Sequence, residues 1–320
     1  MTDVFLVSAA RTAVGAFGGS LKDQKPGDLG AHVIRAAVER AGVSADLVGH
    51  VVMGNVVATE PRDAYVARIA AVQAGIPIEV PAMTVNRLCS SGMQAIVSAA
   101  QMIKLGDCEV AVGGGVEVMS RAAFYAPAVR WGQKMGNVEL LDGLNGALTD
   151  PFNNILMGVT AENVAQRYGI SREDQDAIAL ESQRRAANAI VQGYFRDQIV
   201  PVELATRKGT TLFDTDEYVR TDATLEDFTK LKPVFQRDGG TVTAGNSSGI
   251  NDGASAMVLA SAEAVRRHGL TPLARLVSYG HAGVDPAYMG IGPVPATRNA
   301  LAKAGLTVND LDVIEANEAF

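Results

Sequence analysis

Strand-like apolar runs alternate with helix-like segments through the first third of the chain. Residues 4–8 and 48–54 have the composition of buried strands, and between them residues 28–40 repeat apolar side chains at helical spacing, with Asp28 as the expected cap and Gly42 as the stop. Parallel strands are joined by crossovers that are usually helical. The alternation therefore predicts a parallel sheet covered by helices on both faces, in a layered α/β protein whose 320 residues suggest about two domains.

Local signals predict further elements later in the chain. Ser171 and Asp174 have the spacing of a capping box before a long helix. A second alternation of strand, helix and strand is predicted at 273–279, 295–303 and 313–314.

A cysteine stands where a predicted strand is followed by a predicted helix. Residues 82–85 read as a short buried strand, and after Cys89 apolar residues, Met93 and Ile96 among them, recur at spacings of three and four. The free backbone N–H groups of a first helical turn favour an anion, so Cys89 is a candidate nucleophile. The alternative is a buried cysteine that acts only as a small hydrophobic side chain.

Composition argues against several classes of partner. A formal net charge of −7 disfavours nucleic acid or an anionic membrane as the main partner. No apolar stretch reaches the roughly 18 residues of a membrane span, and the N-terminus lacks the basic segment of a signal peptide. Two cysteines and four histidines show no disulfide framework and no metal-ligand spacing, so no metal site is expected and the cytoplasm is predicted.

Several motifs, taken in order, resemble the thiolase family. The segment VNRLCSSGMQA around Cys89 is similar to the thiolase nucleophile turn. Five further segments look like thiolase landmarks in thiolase order: GGGVEVMS at 113–120, MGVTAEN at 157–163, TAGNSSG at 243–249, MGIGP at 289–293 and EANEAF at 315–320. The resemblance runs along the whole chain and is strongest to bacterial 3-ketoacyl-CoA thiolases, or β-ketothiolases.

The resemblance implies a thiolase fold, an α/β arrangement layered α-β-α-β-α with two similar βαβ-type halves and a loop domain. It predicts an N-terminal thiolase domain at 1–118 completed by about 250–269, a loop domain at 119–249 covering the coenzyme A site, and the start of a C-terminal thiolase domain at 270–320. Thiolases also carry a Gly-His-Pro motif with the catalytic histidine and a Cys-x-Gly-Gly-Gly motif with a second catalytic cysteine, and these residues contain neither. The second half is therefore expected to be incomplete.

The resemblance also implies an activity. Thiolases cleave 3-oxoacyl-CoA with CoA to acyl-CoA and acetyl-CoA, or run the reverse Claisen condensation, and Cys89 would carry the acyl-thioester. CoA and acyl-CoA are the expected partners, no cofactor is expected, and a homodimer or homotetramer is predicted. Two alternatives stay open: a β-ketoadipyl-CoA thiolase of aromatic degradation, and a catalytically inactive lipid-carrier or assembly relative.

Further site residues are carried over from the family by position. Asn317 matches the asparagine that fixes a water where the enolate oxygen of the acetyl unit binds, with a turn residue as the alternative. Ala244 and Ser248 match positions that touch the pantetheine arm, and Arg220 matches a contact to the nucleotide end, unless it is only a solvated surface side chain. Apolar walls of the pantetheine and acyl channel match Leu148, Met157, Met289 and Phe320, with core packing as the alternative.

Two patterns are not assigned to chemistry. Gly113, Gly114 and Gly115 do not form a phosphate loop, because the Walker pattern with its lysine is absent; tight packing behind Cys89 is predicted instead. His281, in the segment YGHAG, imitates the missing histidine motif but has no proline after it and precedes Asn317.

Overall fold

The computed structural model describes residues 2–207 and 209–320, which divide into two compact units. The first unit comprises Met1–Ala147, Phe195–Tyr218 and Ile250–Leu276, and the second comprises Leu148–Tyr194, Val219–Gly249 and Val277–Phe320. The division into three regions expected from the sequence stays a prediction.

The regular elements follow in chain order. The strands are β1 (Val4–Arg11), β2 (Gly15–Ala16), β3 (His50–Gly54), β4 (Ala82–Val85), β5 (Val110–Val118), β6 (Phe124–Tyr125), β7 (Leu141–Asp142), β8 (Thr149–Asp150), β9 (Ile155–Leu156), β10 (Val202–Thr206), β11 (Gly209–Phe213), β12 (Asn251–Ser261) and β13 (Ala274–Arg275). The helices are α1 (Pro26–Ala41), α2 (Val66–Gln73), α3 (Ser91–Leu105), α4 (Gly143–Ala147), α5 (Met157–Tyr168), α6 (Arg172–Gln192), α7 (Leu225–Thr229), α8 (Ala262–His268) and α9 (Pro293–Ala304).

The first unit is built on a mixed sheet. Its strand order is β13-β1-β12-β5-β3-β4, and β2 pairs with β12. β3 runs parallel to β4 and β5, as the alternating pattern predicts, whereas β12 runs antiparallel to both β1 and β5. The expectation of a purely parallel sheet was wrong at β12, because an apolar run does not encode the direction in which a strand enters a sheet.

Helices pack on both faces of this sheet, as expected. Within β3, Val51 and Met53 belong to the core cluster formed with α1 and α2, while Val52 points into the cluster formed with α3. All three side chains are fully buried. The alternation along one strand thus fixes a three-layered packing for this unit.

Two of the predicted helix ends are confirmed and one is displaced. Gly42 ends α1 in a left-handed conformation at φ 66°, which a residue without Cβ adopts easily. Ser171 and Asp174 form the predicted capping box of α6. Asp28 lies in the first turn of α1 rather than at its cap, because Pro26 begins the helix one turn earlier.

In the last part of the chain, α9 forms where a helix was predicted, but two predicted strands do not. The strand expected at 273–279 shrinks to the two residues of β13, and residues 313–314 are irregular, with Val313 81% exposed. A strand needs a neighbour to receive its backbone hydrogen bonds. Among the described residues none pairs with 313–314.

Candidate active site

Cys89 lies in the tight turn between β4 and α3, and its side chain is exposed. The hydroxyl of Ser91 closes this turn, since it accepts a hydrogen bond from the N–H of Arg87 at 2.8 Å and donates one to the carbonyl of Leu88 at 2.6 Å. Leu88 has a φ of 47°, in the left-handed region that non-glycine residues rarely adopt. The chain therefore bends sharply enough to leave the thiol in solvent at the start of α3.

The first turn of α3 lies directly against the sheet. A methyl group at Gly54, the last residue of β3, would come within 2.5 Å of the carbonyl carbon of Ser91. One at Gly113 would come within 2.7 Å of the Cα of Ile96. Gly113 to Gly115 lie inside β5 rather than after it, and the prediction that they allow tight packing behind Cys89 is confirmed.

Two side chains of this region are more exposed than the sequence indicated. β4 is an edge strand of the sheet, so Met83 is 36% exposed where a buried strand was predicted. Met93, expected on the inner face of α3, is 69% exposed. Val97 and Ile103 occupy that face as expected, since both are almost fully buried.

A half-buried carboxylate supports the turn from the neighbouring strand. Glu117 of β5 accepts hydrogen bonds from the side-chain amide of Asn55 at 2.5 Å and from the N–H groups of Val56 at 2.9 Å and Val57 at 3.2 Å. The N–H of Asn55 in turn donates to the carbonyl of Val85 at 3.1 Å, where β4 ends. Glu117 thus connects the loop after β3 to the strand that leads into Cys89, a role that sequence analysis missed.

The environment of Glu117 also perturbs its ionisation. Burial raises the pKa of Glu117 to about 7, although the hydrogen bonds from Val56 and Val57 lower it in part. The nearby carboxylate of Asp63, itself 3% exposed, raises the pKa further. The only sequence signal for this residue was its place in the segment at 113–120.

The second cysteine lies at the other end of α3. Cys108 is half-buried and follows Gly106, which caps the helix, and Asp107. Burial, with a smaller contribution from the negative charge of Asp107, raises the pKa of the Cys108 thiol to about 11. Cys108 is therefore a poor nucleophile near neutral pH.

In the second unit, the residues expected to touch pantetheine lie on one irregular segment, residues 241–248, which we call the strap. The side chains of Ala244 and Ser248 are both exposed. The N–H of Ser248 donates to the carbonyl of Ala319 at 2.9 Å. Asn317, two residues before Ala319, has an exposed side chain. The structure thus connects the strap with the segment that carries Asn317 and Phe320.

Arg220 lines a cavity of ≈ 380 Å³ within the second unit. The side chain of Arg220 is exposed, and its backbone N–H donates to the side-chain oxygen of Gln183 at 2.8 Å. The remaining lining residues include two carboxylates, apolar side chains and the strap glycine that follows Ala244: Asp222, Ala223, Asp227, Phe228, Leu231 and Gly245. This is a mixed polar and apolar recess with one cationic group.

The predicted apolar walls are only partly buried. Leu148 and Met157 are half-buried and are joined by a hydrogen bond of 2.8 Å from the N–H of Met157 to the carbonyl of Leu148. Met289 is half-buried in the short turn Pro286–Ile291. Phe320 is 42% exposed and meets the ring of Phe235 edge-on at 6.1 Å between centroids.

The part of the chain that the structure describes contains neither a metal-binding cluster nor a membrane-spanning helix. No group of three or more His, Cys, Asp or Glu side chains in residues 2–207 and 209–320 is arranged to hold a metal ion. Within the same residues, no helix combines the length and the apolar character that crossing a membrane requires.

Comparison with family models decides the family. The model of the thiolase N-terminal domain matches residues 4–263, and that of the thiolase C-terminal domain matches residues 270–320. The chain belongs to the thiolase family. The resemblance inferred from the motifs is confirmed.

Individual relatives agree with this assignment. Beta-ketothiolase BktB of Cupriavidus necator is 65% identical over 318 residues, which are 99% of this chain and 81% of the relative. An acetyl-CoA acetyltransferase of Pseudomonas aeruginosa is 51% identical over 322 residues, covering 100% of this chain and 81% of the relative. These names support an enzyme rather than an inactive relative.

Solved structures show the same fold. Human mitochondrial 3-ketoacyl-CoA thiolase superposes with a TM-score of 0.97 at 48% identity and covers 100% of this chain and 81% of that chain. The same human enzyme in complex with CoA gives a TM-score of 0.95 at 47% identity, over 100% of this chain and 80% of that chain. The thiolase fold is confirmed, whereas the expectation of an incomplete second half is not supported, because every residue of this thiolase is covered.

Proposed function

We propose that this thiolase cleaves 3-oxoacyl-CoA with CoA to acyl-CoA and acetyl-CoA, and catalyses the reverse Claisen condensation, with Cys89 as the nucleophile. The observation that carries the proposal is the exposed thiol of Cys89 at the start of α3, inside a chain of the thiolase family. The relatives named as β-ketothiolase and acetyl-CoA acetyltransferase support the same substrate class.

The chemistry suits a thiolate. In the first step the Cys89 sulfur bonds to the 3-oxo carbon, the C2–C3 bond breaks, and its electron pair stays on the enolate of acetyl-CoA. In the second step the sulfur of CoA attacks the acyl-thioester and Cys89 leaves. Overall, the proton of the CoA thiol is transferred to C2 of the acetyl unit, where a C–H bond replaces the broken C2–C3 bond. The two thioesters have similar reactivity, so neither half-reaction ends in a deep energy minimum.

Backbone and side-chain donors complete the proposal. The N–H of Cys89, at a helix start where positive partial charge accumulates, would stabilise the oxyanion of the thioester carbonyl. Asn317 would hold a water that donates to the enolate oxygen of the acetyl unit. Its exposed side chain is free to meet a ligand.

Coenzyme A would be bound by residues of the predicted loop domain and the segments after it. Arg220 supplies a cation for the nucleotide end, which a protein of formal net charge −7 needs locally. Ala244 and Ser248 would lie along the pantetheine arm, where small side chains allow a close approach to the backbone. Apolar walls would come from Leu148, Met157, Met289 and Phe320.

We propose a homodimer or homotetramer as the assembly and the cytoplasm as the location. β4 is a sheet edge with partly exposed side chains, and such an edge presents unpaired backbone groups to a second chain. The two cysteines are free, which suits a reducing compartment. Size-exclusion chromatography with light scattering tests the assembly, and a monomer would contradict it.

The activity is tested with the purified thiolase and three substrates: acetoacetyl-CoA, a longer 3-oxoacyl-CoA and β-ketoadipyl-CoA. We expect cleavage that requires free CoA and releases acetyl-CoA, with acetoacetyl-CoA or its longer homologue preferred. A preference for β-ketoadipyl-CoA would replace the proposed substrate with the aromatic-degradation alternative. Absence of CoA-dependent cleavage with all three would reject the proposal.

A further inference from the structure

The strap has neither helix nor strand to hold its shape. Residues 241–248 contain no regular element, yet Val242, Thr243 and Asn246 are buried. Buried backbone groups need hydrogen-bond partners. Side chains of the strap satisfy two of them, since Asn246 accepts from the N–H of Thr243 and the hydroxyl of Thr243 accepts from the N–H of Asn246. Two buried carboxylates, one on each of two neighbouring helices, hold the strap from outside.

The first carboxylate is Glu162 of α5, which is 5% exposed. Its Oε1 accepts hydrogen bonds from the N–H of Thr241 at 2.9 Å and from the N–H of Val242 at 2.8 Å. Its Oε2 accepts from the hydroxyl of Thr241 at 2.9 Å. One side chain therefore fixes the beginning of the strap through three donors.

The second carboxylate is Asp176 of α6, which is 1% exposed. Its Oδ1 accepts from the side-chain amide of Asn246 at 2.9 Å, and its Oδ2 accepts from Nε of Arg172 at 2.7 Å. Asn246 also receives the N–H of Thr243 at 2.7 Å and donates to the carbonyl of Thr241 at 3.0 Å. Asp176 thus holds the side chain of Asn246, which bonds to backbone groups on both sides of Val242.

Ala244 and Gly245 lie between these two anchors, and Ser248 follows them. A methyl group at Gly245 would come within 2.7 Å of Cδ1 of Leu231 and 2.9 Å of Cδ1 of Phe228, both in the wall of the Arg220 cavity. At Gly245 the strap therefore lies directly against these two side chains. Its small residues have few side-chain atoms with which to adapt to a ligand.

We propose that Glu162 and Asp176 are positioning residues for coenzyme A: they hold the strap in the shape that receives the pantetheine arm without touching the ligand themselves. The inference rests on the proposed function of Ala244 and Ser248. A ligand that contacts backbone and small side chains depends on preorganisation, because any ordering left until binding reduces affinity. Hydrogen bonds to ionised acceptors are among the strongest available for this purpose.

The test uses Glu162→Ala, Glu162→Gln and Asp176→Asn in the full chain, with acetoacetyl-CoA and CoA as substrates. Two matched controls lie on α6: Glu181→Gln removes an exposed carboxylate paired with Arg185, and Ser171→Ala removes the helix cap without changing the strap. Ser171→Ala therefore lowers stability without the proposed effect. The readouts are KM for both substrates, kcat, and the rate at which iodoacetamide alkylates Cys89 without ligand.

We expect KM to rise about tenfold in Glu162→Ala, the loss that follows when a charged hydrogen-bond acceptor is removed. Glu162→Gln and Asp176→Asn should raise KM less, because each keeps one acceptor oxygen. The alkylation rate of Cys89 and the KM of both controls should not change. If Glu162→Ala does not fold, the other two variants decide the outcome.

Unchanged KM in these variants, or an equal rise of KM in Ser171→Ala, would overturn the positioning role. Arg220→Ala separates this failure from a failure of the proposed function. If Arg220→Ala raises KM for CoA while the carboxylate variants do not, only the positioning role is rejected. If Arg220→Ala also leaves KM unchanged, both the positioning role and the assignment of coenzyme A to this unit are rejected.

Discussion

The two cysteines of this thiolase lie at opposite ends of one helix and differ in almost every property that decides reactivity. Cys89 is exposed and comes two residues before Ser91, where α3 begins. Cys108 is half-buried beyond the end of α3, and burial together with Asp107 raises the pKa of its thiol to about 11. A helix favours an anion at its N-terminus and disfavours one at its C-terminus. Position on the helix, rather than residue type, therefore distinguishes the candidate nucleophile.

The same strand supports both ends of α3. Gly54 ends β3, and a methyl group there would clash with the backbone of Ser91. Gly49 precedes β3, and a methyl group there would lie 2.6 Å from Cβ of Cys108. Each cysteine environment is thus set by a close contact with one end of β3. The comparison can be tested at either end independently.

The largest difference is expected in turnover. Cys89→Ala should lower CoA-dependent cleavage of acetoacetyl-CoA by at least roughly 10³-fold, because no group remains to form the acyl-thioester. The matched variant Cys108→Ala should leave turnover nearly unchanged, since a small apolar residue replaces another. Steady-state kinetics of both purified variants measure this. A similar loss in both, or in neither, would remove the distinction between the two cysteines.

The next difference is expected in alkylation by iodoacetamide at about pH 7. A thiol with a pKa of about 11 is ionised to only about 1 part in 10⁴ at this pH, against about 3% for an ordinary exposed thiol. Cys89 should therefore react at least roughly 100-fold faster than Cys108. Peptide mass spectrometry over a time course gives both rates in one sample. Comparable rates would contradict the raised pKa of Cys108.

The raised pKa of Glu117, which supports the turn at Cys89, predicts a pH dependence of stability. In the folded chain this pKa is about 7, against about 4.5 for an ordinary glutamate, so the folded state binds more protons between these pH values. The stability contributed by this group is therefore full below about pH 4.5 and falls, by up to about 3 kcal/mol, as the pH rises to 7. Glutamine does not ionise, so Glu117→Gln should not show this loss.

Urea unfolding of Glu117→Gln and of the unmodified thiolase at about pH 5 and about pH 8 measures the effect. The variant should gain stability relative to the unmodified thiolase at the higher pH. Glu181→Gln, which changes an exposed carboxylate, serves as the control and should follow the unmodified pH dependence. Parallel profiles for all three proteins would contradict the raised pKa.

The smallest expected effect comes from Gly49, which precedes β3, and Gly54, which ends it. Gly54→Ala and Gly49→Ala should each destabilise the fold by about 1–3 kcal/mol, because a methyl group is forced into a filled space. Only Gly54→Ala should also slow alkylation of Cys89, since only it moves the first turn of α3. Thermal unfolding and alkylation rates together measure this, and equal slowing by both variants would count against separate control of the two ends.

Much of the fold was predictable where the signal is local. The strand at 82–85, the stop at Gly42 and the capping box of Ser171 and Asp174 all depend on residues within one or two turns, and all three are confirmed. The misplaced features depend on distant neighbours instead. The exposure of Met93, the antiparallel direction of β12 and the irregular segment at 313–314 follow from which elements pack nearby, which periodicity does not encode.

The candidate site divides in the same way. The turn at Cys89 was predictable, because a strand and a helix flank it directly. Glu117 and Glu162 were not, because the N–H groups they hold lie 61 and 79 residues away in sequence. The burial of a glutamate and the identity of its hydrogen-bond donors cannot be inferred from the residue type alone. The assignments of Asn317, Arg220 and the other coenzyme A contacts stay predictions.

The central claim, that Cys89 alone carries the acyl group, is tested most directly by locating that group. The purified thiolase is incubated with acetyl-CoA, quenched and digested, and the modified peptide is identified by mass spectrometry. The account predicts one acetyl group, on Cys89, which disappears when free CoA is added before quenching. Acetylation of Cys108, acetylation that CoA does not remove, or no acetylation of Cys89 would contradict the account.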